Sequence, residues 1–139
     1  TEAQVARLMD AYLSLACFPE VTAALARLRG RPRAILSNGA PHMLAAAVAA
    51  AGLGPHLEHV LSVDAVKTYK PAPAVYALGP RALGVPAAEL LFVSSNSWDV
   101  AGAKAFGYRV AWCNRAGAPA EELGVQPDLV VTSLAALPA

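Results

Sequence analysis

The sequence predicts an α/β fold: a mostly parallel sheet with helices on both faces. Three observations carry this expectation. Short apolar runs alternate with helical patterns of roughly ten residues, as parallel crossover units require. The chain of 139 residues is 56% hydrophobic and only 15% charged, which supplies a buried interior and argues against disorder. Finally, polar residues gather just after each apolar run, and in α/β sheets the chemistry sits beyond the carboxyl ends of the strands.

The elements follow in order. From Glu2 to Leu15, Val5, Leu8, Met9, Tyr12 and Leu15 recur at helical spacing. After Pro19 a second helix is expected from Val21 to Leu28, with Val21, Leu25 and Leu28 on one face and Gly30 as its stop. Arg33 to Ser37 reads as a buried strand that ends at the Asn38-Gly39 turn. A helix from about His42 to Ala51 closes at Gly52, and a strand from His59 to Val63 follows. The next helix runs from Pro73 to Leu83 and closes at Gly84. Leu90 to Ser94 is the most apolar strand, followed by a helix from Ser97 to Phe106 closed by Gly107. Arg109 to Cys113 and Leu129 to Thr132 are the last strands. No internal repeat or low-complexity linker divides the chain.

Composition excludes several partners. The 11 Lys and Arg are balanced by 10 Asp and Glu, for a net charge of +1. The only basic cluster, Arg27, Arg29, Arg31 and Arg33, reads as a solvated helix end, so nucleic acid is not an expected partner. The longest apolar stretch, Met43 to Ala51, is too short to span a membrane. Cys17 and Cys113 are far apart and provide neither a disulfide framework nor metal-ligand spacing, which suits a cytoplasmic, reducing setting. Cys113 reads as a buried small apolar residue, and His42, His56 and His59 lack ligand spacing. The first residue is Thr, inside a helical pattern, which reads as a fragment or a processed chain.

The segments after the strands hold the candidate chemistry: Ser37-Asn38-Gly39; Asp64 with Lys67-Thr68-Tyr69-Lys70-Pro71; Ser94-Ser95-Asn96-Ser97-Trp98-Asp99; and Asn114-Arg115. A doubly wound sheet gathers these tips into one pocket of hydroxyls, amides, ammonium groups and a carboxylate, an inventory that binds and polarises an anion. Each segment also has a plainer explanation. Ser37-Asn38-Gly39 suits a turn, Lys70-Pro71 an exposed lysine before a helix start, and Asn96 or Ser97 an N-cap with Asp99 in the first turn. Trp98 and Tyr76, taken singly, suit a core. Caps explain the residue types, but they do not require all three segments in this order.

That order resembles the haloacid dehalogenase superfamily, over nearly the whole chain from about Phe18 onward. The matching segments are Ile35-Leu36-Ser37-Asn38-Gly39, Tyr69-Lys70-Pro71-Ala72-Pro73-Ala74-Val75-Tyr76, and Val93-Ser94-Ser95-Asn96-Ser97-Trp98-Asp99. The resemblance implies the superfamily's Rossmann-like core. Its phosphatases carry two acids in the last segment and use Mg²⁺; here Ser95 stands in place of the first acid, and a hard cation loses a charged ligand. Ser-Ser-Asn-Ser-Trp-Asp and the Ser-Asn pair instead resemble the L-2-haloacid dehalogenases, which need no metal or other cofactor.

What this resemblance implies is hydrolysis of a small 2-haloalkanoate to the 2-hydroxy acid of inverted configuration, through an ester on an aspartate. By the same matching, Lys70 keeps that aspartate ionised; at an intermediate effective dielectric a charge pair at about 4 Å is worth roughly 4 kcal/mol. Ser37 hydrogen-bonds the substrate carboxylate. Asn38 offers amide hydrogens to the leaving halide, and loss of such a donor costs on the order of 100-fold in rate. Ser94 and Asn96 orient the nucleophile and the hydrolytic water. Asp99 either holds Lys70 or helps activate that water. Tyr76 matches an active-site tyrosine, and Trp98 supplies part of the apolar wall.

The superfamily's first motif, Asp-x-x-x-Thr after an opening strand, has no counterpart among Asp10, Asp64, Asp99 and Asp128. Residues 1–16 resemble the end of a helical cap and 17–139 a partial core. The expectation is therefore a carboxyl-terminal portion that lacks the nucleophile, the strand bearing it and most of the cap. Such a chain should be inactive alone, with two strand edges exposed. The alternatives are a fragment of a Mg²⁺-dependent phosphatase and a non-catalytic remnant. The resembling enzymes are commonly homodimers.

Overall fold

The computed structural model describes residues 1–138. Helix α1 (Glu2–Ala11) begins at a capping box: the Thr1 hydroxyl accepts the Gln4 backbone N–H, and the Gln4 side chain reaches back to the Thr1 amine. It runs into a 3₁₀ turn at Tyr12–Ser14. The helical spacing seen in the sequence is real, but its apolar face points outward: Val5, Leu8, Met9 and Tyr12 are all exposed.

The core alternates as expected: α2 (Val21–Arg27), β1 (Ala34–Ser37), α3 (Pro41–Ala50), β2 (His59–Ser62), α4 (Pro73–Tyr76), α5 (Leu78–Leu83), β3 (Leu91–Ser94), α6 (Ser97–Phe106), β4 (Arg109–Cys113) and β5 (Leu129–Val131). One expected helix comes in two pieces. The run from Pro73 to Leu83 breaks between α4 and α5. Pro80 has no N–H to give the carbonyl of Tyr76, four residues earlier. The Tyr108 hydroxyl supplies the missing donor, at 2.7 Å from that carbonyl.

Every strand pair is parallel, and the sheet is in two parts. Strand β1 pairs with β2, Ala34 opposite His59 through Ser37 opposite Ser62. Strand β3 pairs with β4, Ser94 opposite Trp112, and β4 pairs with β5. Among the described residues one edge of β1 and one edge of β3 have no strand beside them. A carboxylate fixes a strand in each part. Glu58 accepts the N–H of Arg33 before β1 at 2.5 Å, and Asp128 accepts the N–H of Val110 in β4 at 2.7 Å.

Strand β4 is the axis of the core. Side chains alternate across a strand, so Val110 and Trp112 join Tyr76, Val100, Ala103 and Tyr108 on one face, while Ala111 and Cys113 join Val131 and Leu137 on the other. Cys113 is thus the buried small residue expected of it. The arginine cluster is less solvated than the sequence suggests. Arg27 donates to the carbonyls of Ala135 and Leu137, both at 2.7 Å, and Arg33 to that of Leu25 at 2.7 Å.

Candidate active site

Strand β3 passes through Ser95 into α6 with Asn96 at the N-cap position, and this turn lowers Asp99 from the first helical turn into the protein. Asp99 is 3% exposed. A carboxylate in such a place must be paired and hydrogen-bonded, and three donors converge on it. Lys70 Nζ lies 2.9 Å from Oδ2, Ser94 Oγ 2.9 Å from the same oxygen, and the Tyr76 hydroxyl 2.8 Å from Oδ1. The Lys70 side chain is itself only 8% exposed, and its ammonium stands 4.9 Å over the Phe92 ring, within cation–π range. This rules out the plainer reading of Lys70 as an exposed lysine. Burial first, and the adjacent Asp99 carboxylate second, push the Tyr76 phenol far above its usual range. Tyr76 is therefore a neutral donor and not a base. Burial also pushes Tyr108 up to about 12.

The close approach of Tyr76 needs Gly102. A Cβ at that position in α6 would stand 2.5 Å from the Tyr76 hydroxyl and 2.9 Å from the Pro71 Cβ. A glycine in a helix interior costs about 1 kcal/mol relative to alanine. That cost is the sequence signal that could have marked it.

Strand β1 brings the second group of residues. Asn38 Oδ1 accepts the backbone N–H of Lys70 at 3.0 Å, so the lysine whose ammonium meets Asp99 after β3 is also held at the carboxyl end of β1. The acceptor end of Asn38 is thus engaged. Ser37 Oγ accepts the N–H of Gly39 at 3.0 Å, and Ser62 Oγ holds the Gly39 carbonyl from β2 at 2.7 Å. The Ser37 hydroxyl hydrogen stays free to donate. Asn96 is exposed and makes no side-chain cap; its N–H donates to Ser94 Oγ at 3.2 Å. Trp98 is 39% exposed in the first turn of α6.

The structure therefore joins Lys70, Tyr76, Ser94 and Asp99 directly, and Asn38 and Asn96 through backbone hydrogen bonds. Other residues expected at the pocket are engaged elsewhere. Asn114 closes its own loop on Ala118. Arg115 pairs with Glu20 at 2.6 Å, its guanidinium 3.9 Å over the Phe18 ring. Lys67 pairs with Asp64 on the surface.

The described residues of this cluster offer a divalent cation a single carboxylate. Asp99 is that carboxylate, and Lys70, Ser94 and Tyr76 already donate to it. Hard cations require several charged oxygens, and among the described residues no group of three His, Cys, Asp or Glu is arranged to hold a metal.

The family model for haloacid dehalogenase-like hydrolases matches residues 2–107. The chain belongs to this family. It is 47% identical over 138 residues to haloacetate dehalogenase H-2 of Moraxella sp. (strain B), covering 98% of this chain and 62% of that protein. It is 51% identical over 132 residues to the (S)-2-haloacid dehalogenase of Pseudomonas sp. (strain YL), covering 94% of this chain and 57% of that protein. A crystal structure of an L-2-haloacid dehalogenase superposes with a TM-score of 0.93 at 50% identity, covering 97% of this chain and 60% of the other. The chain thus spans about three-fifths of the length of these haloacid dehalogenase relatives. Among the described residues no helix is long and apolar enough to cross a membrane.

Proposed function

We propose that this chain supplies the charge-handling part of an L-2-haloacid dehalogenase, and that the attacking carboxylate comes from a strand seated between β1 and β3. The observation that carries the reading is the buried cluster of Lys70, Tyr76, Ser94 and Asp99 where the carboxyl ends of the two open strands meet. None of the chain's four aspartates takes the attacking position: Asp99 is occupied by three donors, and Asp64 and Asp128 are ion-paired to Lys67 and Lys104. Asp10 lies in α1.

In the reaction, a carboxylate oxygen attacks C2 of the 2-haloalkanoate from the side opposite the halogen. The C–O bond forms as the carbon–halogen bond breaks, and halide departs with the electron pair. Water then adds to the carbonyl of the resulting ester and gives up a proton. The acyl C–O bond breaks, the water's second proton passes to the departing alkoxide oxygen, and the carboxylate is regenerated as the D-2-hydroxy acid leaves. Lys70, fixed by Asp99, holds the attacking carboxylate charged and oriented. Ser37 donates to the substrate carboxylate, and the Asn38 amide hydrogens face the departing halide. Ser94 and Asn96 orient the nucleophile and the water, and Trp98 walls the alkyl group. The three donors on Asp99 support its role as the holder of Lys70. Its lone carboxylate weighs against the Mg²⁺-dependent phosphatase alternative.

The same reading assigns residues 1–16 to the end of a helical cap and 17–139 to the core, in a cytoplasmic homodimer. The outward apolar face of α1 is consistent with such a contact. The test is to replace the matched 132 residues of the Pseudomonas relative with this chain and assay chloride release from L-2-chloropropionate. The graft should release chloride equally with and without EDTA, and this chain alone should release none. A folded graft that releases no chloride would sink the proposal, as would one that hydrolyses phosphate esters only with Mg²⁺.

A further inference from the structure

We infer that Trp112 is a positioning residue that sets the orientation of Asn96, an inference that rests on the dehalogenase reading for its catalytic consequence but not for its geometry. The register of the sheet places Trp112 beside Ser94, with its side chain 7% exposed in the core. From there its indole Nε1–H donates to the carbonyl of Ser95 at 3.1 Å. That carbonyl and the N–H of Asn96 belong to one peptide group, which is planar and rotates as a unit. The Asn96 N–H donates to Ser94 Oγ at 3.2 Å. The Ser95–Asn96 peptide is therefore held at both ends, by the indole on one side and by the Ser94 hydroxyl on the other.

On the far side of Asn96, its own carbonyl accepts the N–H groups of Asp99 and Val100 and is locked into α6. What remains free to turn is the peptide before it, and this is the group Trp112 holds. The side chain of Asn96 makes no cap bond of its own, so the direction in which its amide leaves the backbone is inherited from that peptide. The Ser94 hydroxyl that holds the N–H end also donates to Asp99. Trp112 thus ties the Asn96 loop into the carboxylate cluster while touching no reacting atom.

The test uses the reconstituted enzyme with Trp112→Phe, which keeps an aromatic ring and removes the donor, and with Trp112 replaced by benzothienylalanine, which keeps the indole's shape with sulfur in place of N–H. Two readouts are compared. In a double-mutant cycle, Trp112→Phe should lower kcat about tenfold with KM within about twofold, and should cost less than about twofold once Asn96→Ala is present. Independently of any turnover, amide exchange at Asn96 should rise about tenfold in both variants while Val110 and Ala111 stay protected. Additive losses in the cycle, or unchanged exchange at Asn96, overturn the inference. Raised exchange at Asn96 in an enzyme that releases no halide leaves the positioning role standing and overturns the dehalogenase reading instead.

Discussion

In the β3–β4–β5 part of the sheet, four consecutive residues, Val110 to Cys113, are buried; in the β1–β2 part no strand residue is. Composition does not account for this, because Ile35-Leu36 is at least as apolar as Val110-Ala111. The difference is in neighbours. Strand β4 has a strand on each side and side-chain clusters on both faces, whereas among the described residues β1 has a strand on one side only. Burial in a parallel sheet follows from how many edges are paired, and hydrophobicity only permits it. The candidate site lies between the two environments, and Lys70 touches both: its backbone meets Asn38 after β1, and its side chain meets Asp99 after β3.

Removing that bridge should have the largest effect. Lys70→Met leaves Asp99 buried without its counter-charge, and breaking a buried pair on one side costs about 3–5 kcal/mol. The urea midpoint should fall accordingly, and Lys70→Met combined with Asp99→Leu should recover part of the loss. A single substitution that leaves the midpoint unchanged would mean the two parts do not depend on this contact.

Gly102→Ala should come next, because its methyl group meets the Tyr76 hydroxyl and Pro71; overpacking of this kind costs about 1–3 kcal/mol. Its counterpart across the seam is Gly54→Ala, between α3 and β2, where a Cβ meets nothing within 4 Å. That change should stay within about 0.5 kcal/mol. Equal losses in thermal unfolding would erase the contrast between a tightly packed part and a looser one.

The smallest effects concern the two strand-holding carboxylates. The N–H of Arg33 lowers Glu58 from its ordinary 4.5, and Lys104 followed by the N–H of Val110 lowers Asp128 from its ordinary 3.8. A carboxyl group lowered in the folded state stabilises above its unfolded pKa, and that stabilisation is lost as pH falls through the lower folded value. Glu58→Gln should therefore flatten the acid limb of stability below about pH 4.5, and Asp128→Asn below about pH 3.8. Unfolding midpoints between pH 7 and pH 3 would check both, and an acid limb unchanged by either variant would count against these hydrogen bonds.

Much of this was legible in the sequence. Strand and helix periods placed α6 and β4 to the residue, because both are long, apolar and closed by glycine or turn residues. Lys70, Ser94 and Asp99 stood among the polar residues at the strand tips, and the resemblance to the haloacid dehalogenases singled them out as a set. What was hidden depends on tertiary contacts. The break at Pro80 was visible as a proline, but its repair by Tyr108 was not. Nothing in Trp112 alone indicated a donor aimed at Ser95, since a tryptophan in an apolar strand suits a core equally well. The outward face of α1 was illegible for the same reason: a periodic apolar stripe says that a helix wants a partner, not where the partner lies.

The helix break has one more consequence. With its carbonyl handed to the Tyr108 hydroxyl, Tyr76 at the end of α4 is tied to the residue that leads into β4. The phenol that reaches Asp99 and the indole that reaches Ser95 are both gauged from the same segment, Tyr108 to Trp112. One strand, buried on both faces, thereby acts as the datum from which the whole cluster is set, and a shift in it would move the carboxylate's partner and the asparagine's loop together.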